Sequence, residues 1–254
     1  MAKVHEGKKV LVTGGANGIG FAVAKRFAQD GAAICLLDVN EKLLSVAATE
    51  LKLITTVLTK TGSVTDEVFV RTSVDEMVDE LGGVDILVNS AGVVTVEDAL
   101  ENSIEDFRRV VDINLVGTWI PCQACARVMV WAGGGNIVNI GSVYGLGGAP
   151  QRTAYCASKA AIVGLTQSLA VEWGPKKIRV NAVAPTGTRT PMVQDLNDKG
   201  IYKLDAVNHR TPLGRLAEPE EVAAACSFLA SDGAAMITGH HLPVDGGWMA
   251  NNFV

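Results

Sequence analysis

Short runs of wholly apolar, largely β-branched residues alternate with amphipathic stretches along this chain of 254 residues. That alternation restricts the possible folds more than any other feature. Lys9–Thr13 (KVLVT) reads as a strand followed by a helix near Gly18–Asp30, and Ala33–Asp38 (AICLLD) as a strand followed by a helix near Glu41–Lys52. Ile54–Lys60 is expected as a third strand with a helix over Thr65–Leu81, and Asp85–Asn89 as a fourth with one long helix over Ser103–Val130. Gly135–Gly141, Ile178–Val183 and His241–Val244 continue the strand series, separated by helices over Tyr155–Trp173 and Glu218–Leu229. Strands apolar throughout and joined by helices are buried on both faces, which is the pattern of a parallel sheet. The expectation is therefore an α/β chain: a doubly wound parallel sheet with helices on both faces. No repeat, low-complexity segment or linker divides it, so one domain is expected over residues 1–254. Pro185–Gly214 is the least regular region, with three prolines, and is expected as a long connection carrying a short helix and serving as a lid.

A hydrophobic content of 48% against 19% charged residues describes a well-packed globule. The net charge of −5, with no block of Lys or Arg, argues against nucleic-acid and anionic-membrane partners. The longest uncharged stretch, Val128–Gln151, holds seven Gly and one Pro and suits strands and turns better than a membrane span. The opening residues MAKVHEGKKVLVTGG lack the apolar core of a signal peptide. Five cysteines, an odd number, suggest reduced thiols and a cytoplasmic location. Cys122 and Cys125 form C-x-x-C, but no second pair or His set completes a metal site, so core packing is expected there and no metal.

Chemistry is suggested at two places. After the first strand comes Thr13-Gly14-Gly15-Ala16-Asn17-Gly18-Ile19-Gly20, spaced G-x-x-x-G-x-G. Glycine lets the backbone turn tightly and approach a diphosphate, and the helix beginning there presents unpaired N–H groups to an anion. Asp38 ends the second strand, where a carboxylate can accept hydrogen bonds from a ribose and would repel a 2′-phosphate. With no Arg or Lys in the turn or directly after Asp38, the pattern favours NAD over NADP. Further on, TAYCASKA places Tyr155 and Lys159 four residues apart, on one face of a helix. A cation near a phenol favours phenolate and lowers its pKa from about 10, as a general acid or base near neutrality requires. Alone, the pair reads more readily as a packed Tyr and a solvated Lys.

In this order and spacing the motifs resemble the short-chain dehydrogenase/reductase family over nearly the whole chain, from Thr13 to Gly247. They are T-G-x-x-x-G-x-G at 13–20, Asn89-Ser90-Ala91-Gly92, Asn114, Ser142 thirteen residues before Tyr155, Y-x-x-x-K from Tyr155 to Lys159, Asn181, Pro185 and Val244-Asp245-Gly246-Gly247. The resemblance implies a Rossmann-type fold and transfer of a hydride between an alcohol and NAD. Tyr155 would carry the hydroxyl proton, Lys159 would lower the Tyr pKa and hold the nicotinamide ribose, and Ser142 would bond the substrate oxygen. Asn114 would anchor a water beneath Lys159 and complete this catalytic set. The implied dinucleotide contacts are Gly14, Asn17, Gly18, Ile19, Gly20, Asp38, Ser63, Val64, Asn89, Ala91, Gly92, Tyr155, Lys159, Pro185, Gly187, Thr188 and Thr190. Substrate contacts are expected from Ser142, Tyr144, Gln151, Tyr155 and Thr186, with Val94 and Met192 as further walls. This chain departs from the family pattern at Ser90, at Ser63 where Asp is frequent, and at Thr186 where Gly usually follows Pro185. The expected substrate is a small molecule: a polyol or sugar alcohol, a small diol, a cyclic alcohol, or a steroid. A 3-oxoacyl-[acyl-carrier-protein] reductase and a non-catalytic nucleotide sensor are the rival readings. The resemblance also implies a homotetramer built partly on the Ser103–Val130 and Tyr155 helices, with Ile113, Trp119 and Val163 suited to interface or core. The tail Trp248–Val254 would lie against a neighbouring subunit.

Overall fold

The computed structural model describes residues 3–251. Seven strands form one sheet in the order β3-β2-β1-β4-β5-β6-β7. They are β1 (Lys9–Thr13), β2 (Ala33–Asp38), β3 (Val57–Thr61), β4 (Ile86–Asn89), β5 (Gly135–Ile140), β6 (Ile178–Pro185) and β7 (His241–Val244). Every neighbouring pair is parallel. β1 lies between β2 and β4, so the order of strands reverses there; ligand crevices in open α/β sheets form outside the carboxyl ends of strands at such a point.

Two apolar layers enclose the sheet. One side is covered by α1 (Gly18–Gln29), α2 (Glu41–Leu51) and α9 (Pro219–Ala230), which bury Phe27, Leu44, Leu51, Val222 and Leu229 against the strands. The other is covered by α3 (Glu67–Leu81), α5 (Gly117–Ala132) and α6 (Thr153–Trp173), which bury Val70, Met77, Met129, Leu169 and Trp173. The alternation of apolar runs thus gives a parallel sheet buried on both faces. Cys122 and Cys125 are fully buried in the second layer, and burial pushes the Cys122 thiol up to about 12. That placement is the core packing expected of the C-x-x-C.

Beyond shifts of one or two residues at element ends, the structure differs from the sequence expectation in three places. β3 starts at Val57 because the backbones of Ile54 and Thr55 fold back onto the carbonyl of Leu51 at the end of α2. The long Ser103–Val130 helix is broken. α4 (Ile104–Val111) passes through one π-helical segment, Asp112–Val116, before α5 begins. The Pro185–Gly214 connection carries two short helices, α7 (Pro191–Asp198) and α8 (Leu204–Arg210), rather than one. No helix among the described residues is long and apolar enough to cross a membrane. The tail Trp248–Val254 expected against a neighbouring subunit lies in part outside the described residues; Trp248 itself is buried, its ring edge-on to that of Tyr144.

Candidate active site

A cleft of about 320 Å³ opens at the carboxyl ends of the strands. Its first wall is the turn between β1 and α1. Gly14 has φ +62°, and a Cβ there would lie 2.8 Å from the backbone of Ala91. A Cβ on Gly20 would run into the carbonyl of Gly14. Glycine is thus required at both positions for the turn to close against β4. Asn17 caps α1 by accepting from Gly18 N at 2.7 Å, while the next amides at the helix start have no intrahelical acceptor. Asp38 faces the same wall. Its carboxylate accepts from Ala16 N at 3.1 Å and Asn40 N at 2.9 Å, which fixes it beside the glycine turn. Asn40, not Asp38, caps the following helix. A glycine-lined approach, a helix N-terminus and a fixed carboxylate suit a dinucleotide.

The middle of the cleft is built by α6 and the loop after β5. Ser142 caps a short turn at Val143–Gly145 by accepting from Tyr144 N at 3.1 Å, and it is 7% exposed, enough to show its hydroxyl to the cleft. Lys159 lies one turn along α6 from Tyr155. Its Nζ donates to the carbonyl of Ile140 at 2.7 Å and sits 5.7 Å from the centre of the Tyr155 ring. Burial lowers the Lys159 pKa to about 8. Burial also raises the Tyr155 phenol above its ordinary value, with a hydrogen bond from the Ser142 side chain acting in the opposite direction. Lys159 is expected to lower the pKa of Tyr155; the largest influence on the phenol is desolvation, and its sign is upward.

Asn114 occupies the π-helical segment, fully buried. Its Oδ1 accepts from Val93 N at 2.8 Å, and its Nδ2 donates to Val93 O at 2.9 Å and Ser158 Oγ at 3.0 Å. Both amide hydrogens are thus committed to joining the loop after β4 to α6. Asn114 does not line the cleft, and its side chain is a fastener beneath it.

Ile19, Ala91, Gly92, Val94, Tyr144, Pro185, Thr186, Gly187, Thr188, Thr190 and Met192 complete the expected lining. Thr190 caps α7 and lies close enough to Gly18 that a Cβ there would meet its methyl at 3.4 Å. Several expected residues stand elsewhere. Ser63 bonds Thr65 at 2.8 Å, and Val64 is buried against Gly117. Asn89 lies under the sheet end, its Nδ2 donating to Asn139 Oδ1 at 3.0 Å. Gly20 is a packing position behind the turn. Gln151 is exposed, with a left-handed backbone at φ +59°, and does not reach the cleft. Nine lining residues were not anticipated from the sequence: Ser90, Val93, Ile140, Gly141, Pro191, Arg152, Val193, Leu196 and Tyr202. The last three lie on or beside α7, in the region whose polar, irregular sequence gave no periodicity from which an inward face could be read.

Comparisons with known proteins agree with this geometry. A family model described as enoyl-(acyl carrier protein) reductase matches residues 14–249. The D-threitol dehydrogenase of Mycolicibacterium smegmatis is 42% identical over 250 residues, covering 96% of this chain and 93% of that protein. The 3-oxoacyl-[acyl-carrier-protein] reductase of Chlamydia muridarum is 39% identical, covering 94% and 96%. The crystal structure of gox2181 superposes with a TM-score of 0.93 at 37% identity, covering 98% of this chain and 99% of that one. A parallel seven-stranded sheet, a glycine turn beside a carboxylate, Ser142, Tyr155 and Lys159 on one cleft, and relatives matched end to end lead to one assignment: the chain belongs to the short-chain dehydrogenase/reductase family.

Proposed function

We propose that the chain is an NAD(H)-dependent oxidoreductase that interconverts a secondary alcohol, of the polyol or small-diol class, and its ketone. The observation that carries this reading is the convergence of Ser142, Tyr155 and Lys159 on the cleft that also receives the glycine turn and Asp38. Gly14, Asn17, Gly18, Asp38, Ala91, Gly92 and Thr190 would hold the dinucleotide. When bound, its oxidised nicotinamide supplies the hydride acceptor and a positive charge. The Ser142 hydroxyl orients the substrate oxygen toward the Tyr155 phenol. Tyr155 takes the hydroxyl proton during oxidation and returns it during reduction. Lys159, held by the Ile140 carbonyl, fixes a cation beside the phenol and favours its ionised form. Asn114 acts as a positioning residue for α6 through Ser158 and for the loop after β4 through Val93.

NAD is preferred in this reading because the Asp38 carboxylate meets no cation in the turn. A carrier-protein reductase, the activity named for the Chlamydia muridarum relative, is the second reading; this chain's net charge of −5 would repel an acidic carrier. The Pro185–Gly214 segment is proposed as the lid, and assembly as a cytoplasmic homotetramer is proposed on the resemblance, to be checked by light scattering. The test of the function is Tyr155→Phe. Turnover of a diol panel with NAD should fall at least a hundredfold, within the range of about 10²–10⁴ for general acid–base catalysis, while dinucleotide binding persists. Turnover near that of the native chain would remove Tyr155 as proton carrier.

A further inference from the structure

The chain contains three tyrosines, and all of them, Tyr144, Tyr155 and Tyr202, line the one cleft. Arg152 lines it with them. Its guanidinium lies 5.9 Å over the Tyr202 ring, and its charge acts on all three phenols, drawing each against the effect of burial. Its other contact is a hydrogen bond to the Pro150 carbonyl at 3.2 Å. Among the described residues Arg152 has no carboxylate partner, whereas Arg189 and Arg215 pair with Glu218 and Glu221. The turn that presents it is held in place. Gln151 adopts a left-handed backbone, and its carbonyl accepts from Glu97 N at 2.9 Å. A non-glycine residue in that conformation persists only where its surroundings enforce it. The cleft is therefore polarised, with Asp38 at the glycine turn and a guanidinium over the Tyr202 ring. In an acidic chain, a cation directed into a substrate cleft and left without a carboxylate calls for an anion from outside.

We propose that Arg152, with the hydroxyls of Tyr144 and Tyr202, forms a subsite for an oxyanion on the substrate, a carboxylate or phosphate borne a short distance from the reacting hydroxyl. This rests on the proposed alcohol chemistry and narrows it from neutral polyols to hydroxy acids or phosphorylated polyols. A planar guanidinium offers paired donors to either oxyanion, and phenolic O–H groups can complete its coordination.

The test pairs neutral and anionic probes of similar size: 2,3-butanediol against 3-hydroxybutyrate, and glycerol against glycerol 3-phosphate. kcat/KM with NAD is measured for the native chain, Arg152→Gln and Arg152→Lys. Binding of each probe to the NADH-loaded protein is followed by calorimetry. The native chain should prefer at least one anionic probe over its neutral counterpart by roughly ten- to a hundredfold, the scale of a charge-assisted hydrogen bond. The arm that shows it identifies carboxylate or phosphate. Arg152→Gln should abolish the preference, chiefly through KM, and Arg152→Lys should restore part of it. Equal use of anionic and neutral probes, or a preference unchanged in Arg152→Gln, overturns the subsite and leaves the alcohol reading intact. Arg152-dependent binding of an anion without turnover of any probe supports the subsite and overturns the alcohol reading. Activity confined to carrier-bound 3-oxoacyl groups, with small oxyanions bound no better than diols, overturns both.

Discussion

Asp38 shows how one side chain combines structural and selective work. Its two oxygens hold the Ala16 and Asn40 amides, so it stiffens the turn whether or not a nucleotide is present. The same carboxylate is the group that a 2′-phosphate would have to approach. Asp38→Ala should weaken NAD by roughly ten- to a hundredfold, the scale of losing hydrogen bonds to a charged group. Loosening of the turn would weaken NAD and NADP alike, whereas lost repulsion favours NADP alone. The discriminating measurement is therefore the ratio of the two dissociation constants, which should move toward NADP. An unchanged ratio would leave Asp38 as a structural carboxylate only. The carboxylate and the glycine turn were legible in the sequence because both depend on residue type at a strand end. Arg152 was not, because an arginine ahead of a helix is usually a solvated charge. Only the turn at Gln151 directs it inward.

At the level of elements, the strands were readable and the break between α4 and α5 was not. The strands between the two edges, β1, β2, β4, β5 and β6, are largely buried on both faces, so their sequence reports their environment directly. The α4–α5 segment is helical on either side of Asp112–Val116, and its composition gives no sign of the wider turn. What accompanies the break is tertiary. Asn114 binds Val93 and Ser158, and the Thr118 hydroxyl takes up the Asn114 carbonyl at 2.7 Å. π-Bulges inside α-helices occur mostly where function needs a re-aimed side chain. Here the segment turns Asn114 toward both halves of the site. Asn114→Ala would leave the Val93 amide and carbonyl without their partner. The expected cost is about 2–3 kcal/mol. For a chain of this size that corresponds to a melting temperature lower by roughly 5–10 °C. Turnover should fall as well, through displacement of α6, with the pH profile keeping its shape because the titrating phenol remains. A melting temperature within a degree of the native value would show that the fastener carries no load.

Two histidines, His5 buried and His241 half-buried, connect the whole molecule to pH. His5 is 1% exposed and closes the N-terminal segment over α1 and α9: its Nε2 lies 3.1 Å from both the carbonyl and the hydroxyl of Ser227. Ser227 donates in turn to Asp30 at 2.7 Å, which also pairs with Arg26. His241, on β7, has a buried Nε2 without a partner. Burial is the largest influence on both and lowers both pKa values, although the Ser227 carbonyl and Asp30 partly oppose this at His5. A base whose folded pKa lies below its unfolded value of about 6.5 is protonated first in the unfolded chain. Its stabilising contribution is then complete above pH 6.5 and is lost as pH falls through the folded pKa. Each histidine can contribute at most about 1.4 kcal/mol per pH unit within that window. Carboxylates with ordinary pKa values titrate lower, near pH 4, so the upper part of the window belongs to the histidines. Thermal unfolding followed from pH 7 to 5 should show a decline beginning near 6.5, below the range in which Lys159, lowered to about 8, titrates. His5→Gln, which keeps an amide able to bond Ser227 but cannot titrate, should make that decline shallower. A melting temperature that stays flat down to pH 5 would mean that neither the N-terminal closure nor the end of β7 opposes protonation, and an identical slope in His5→Gln would clear the N-terminal closure alone.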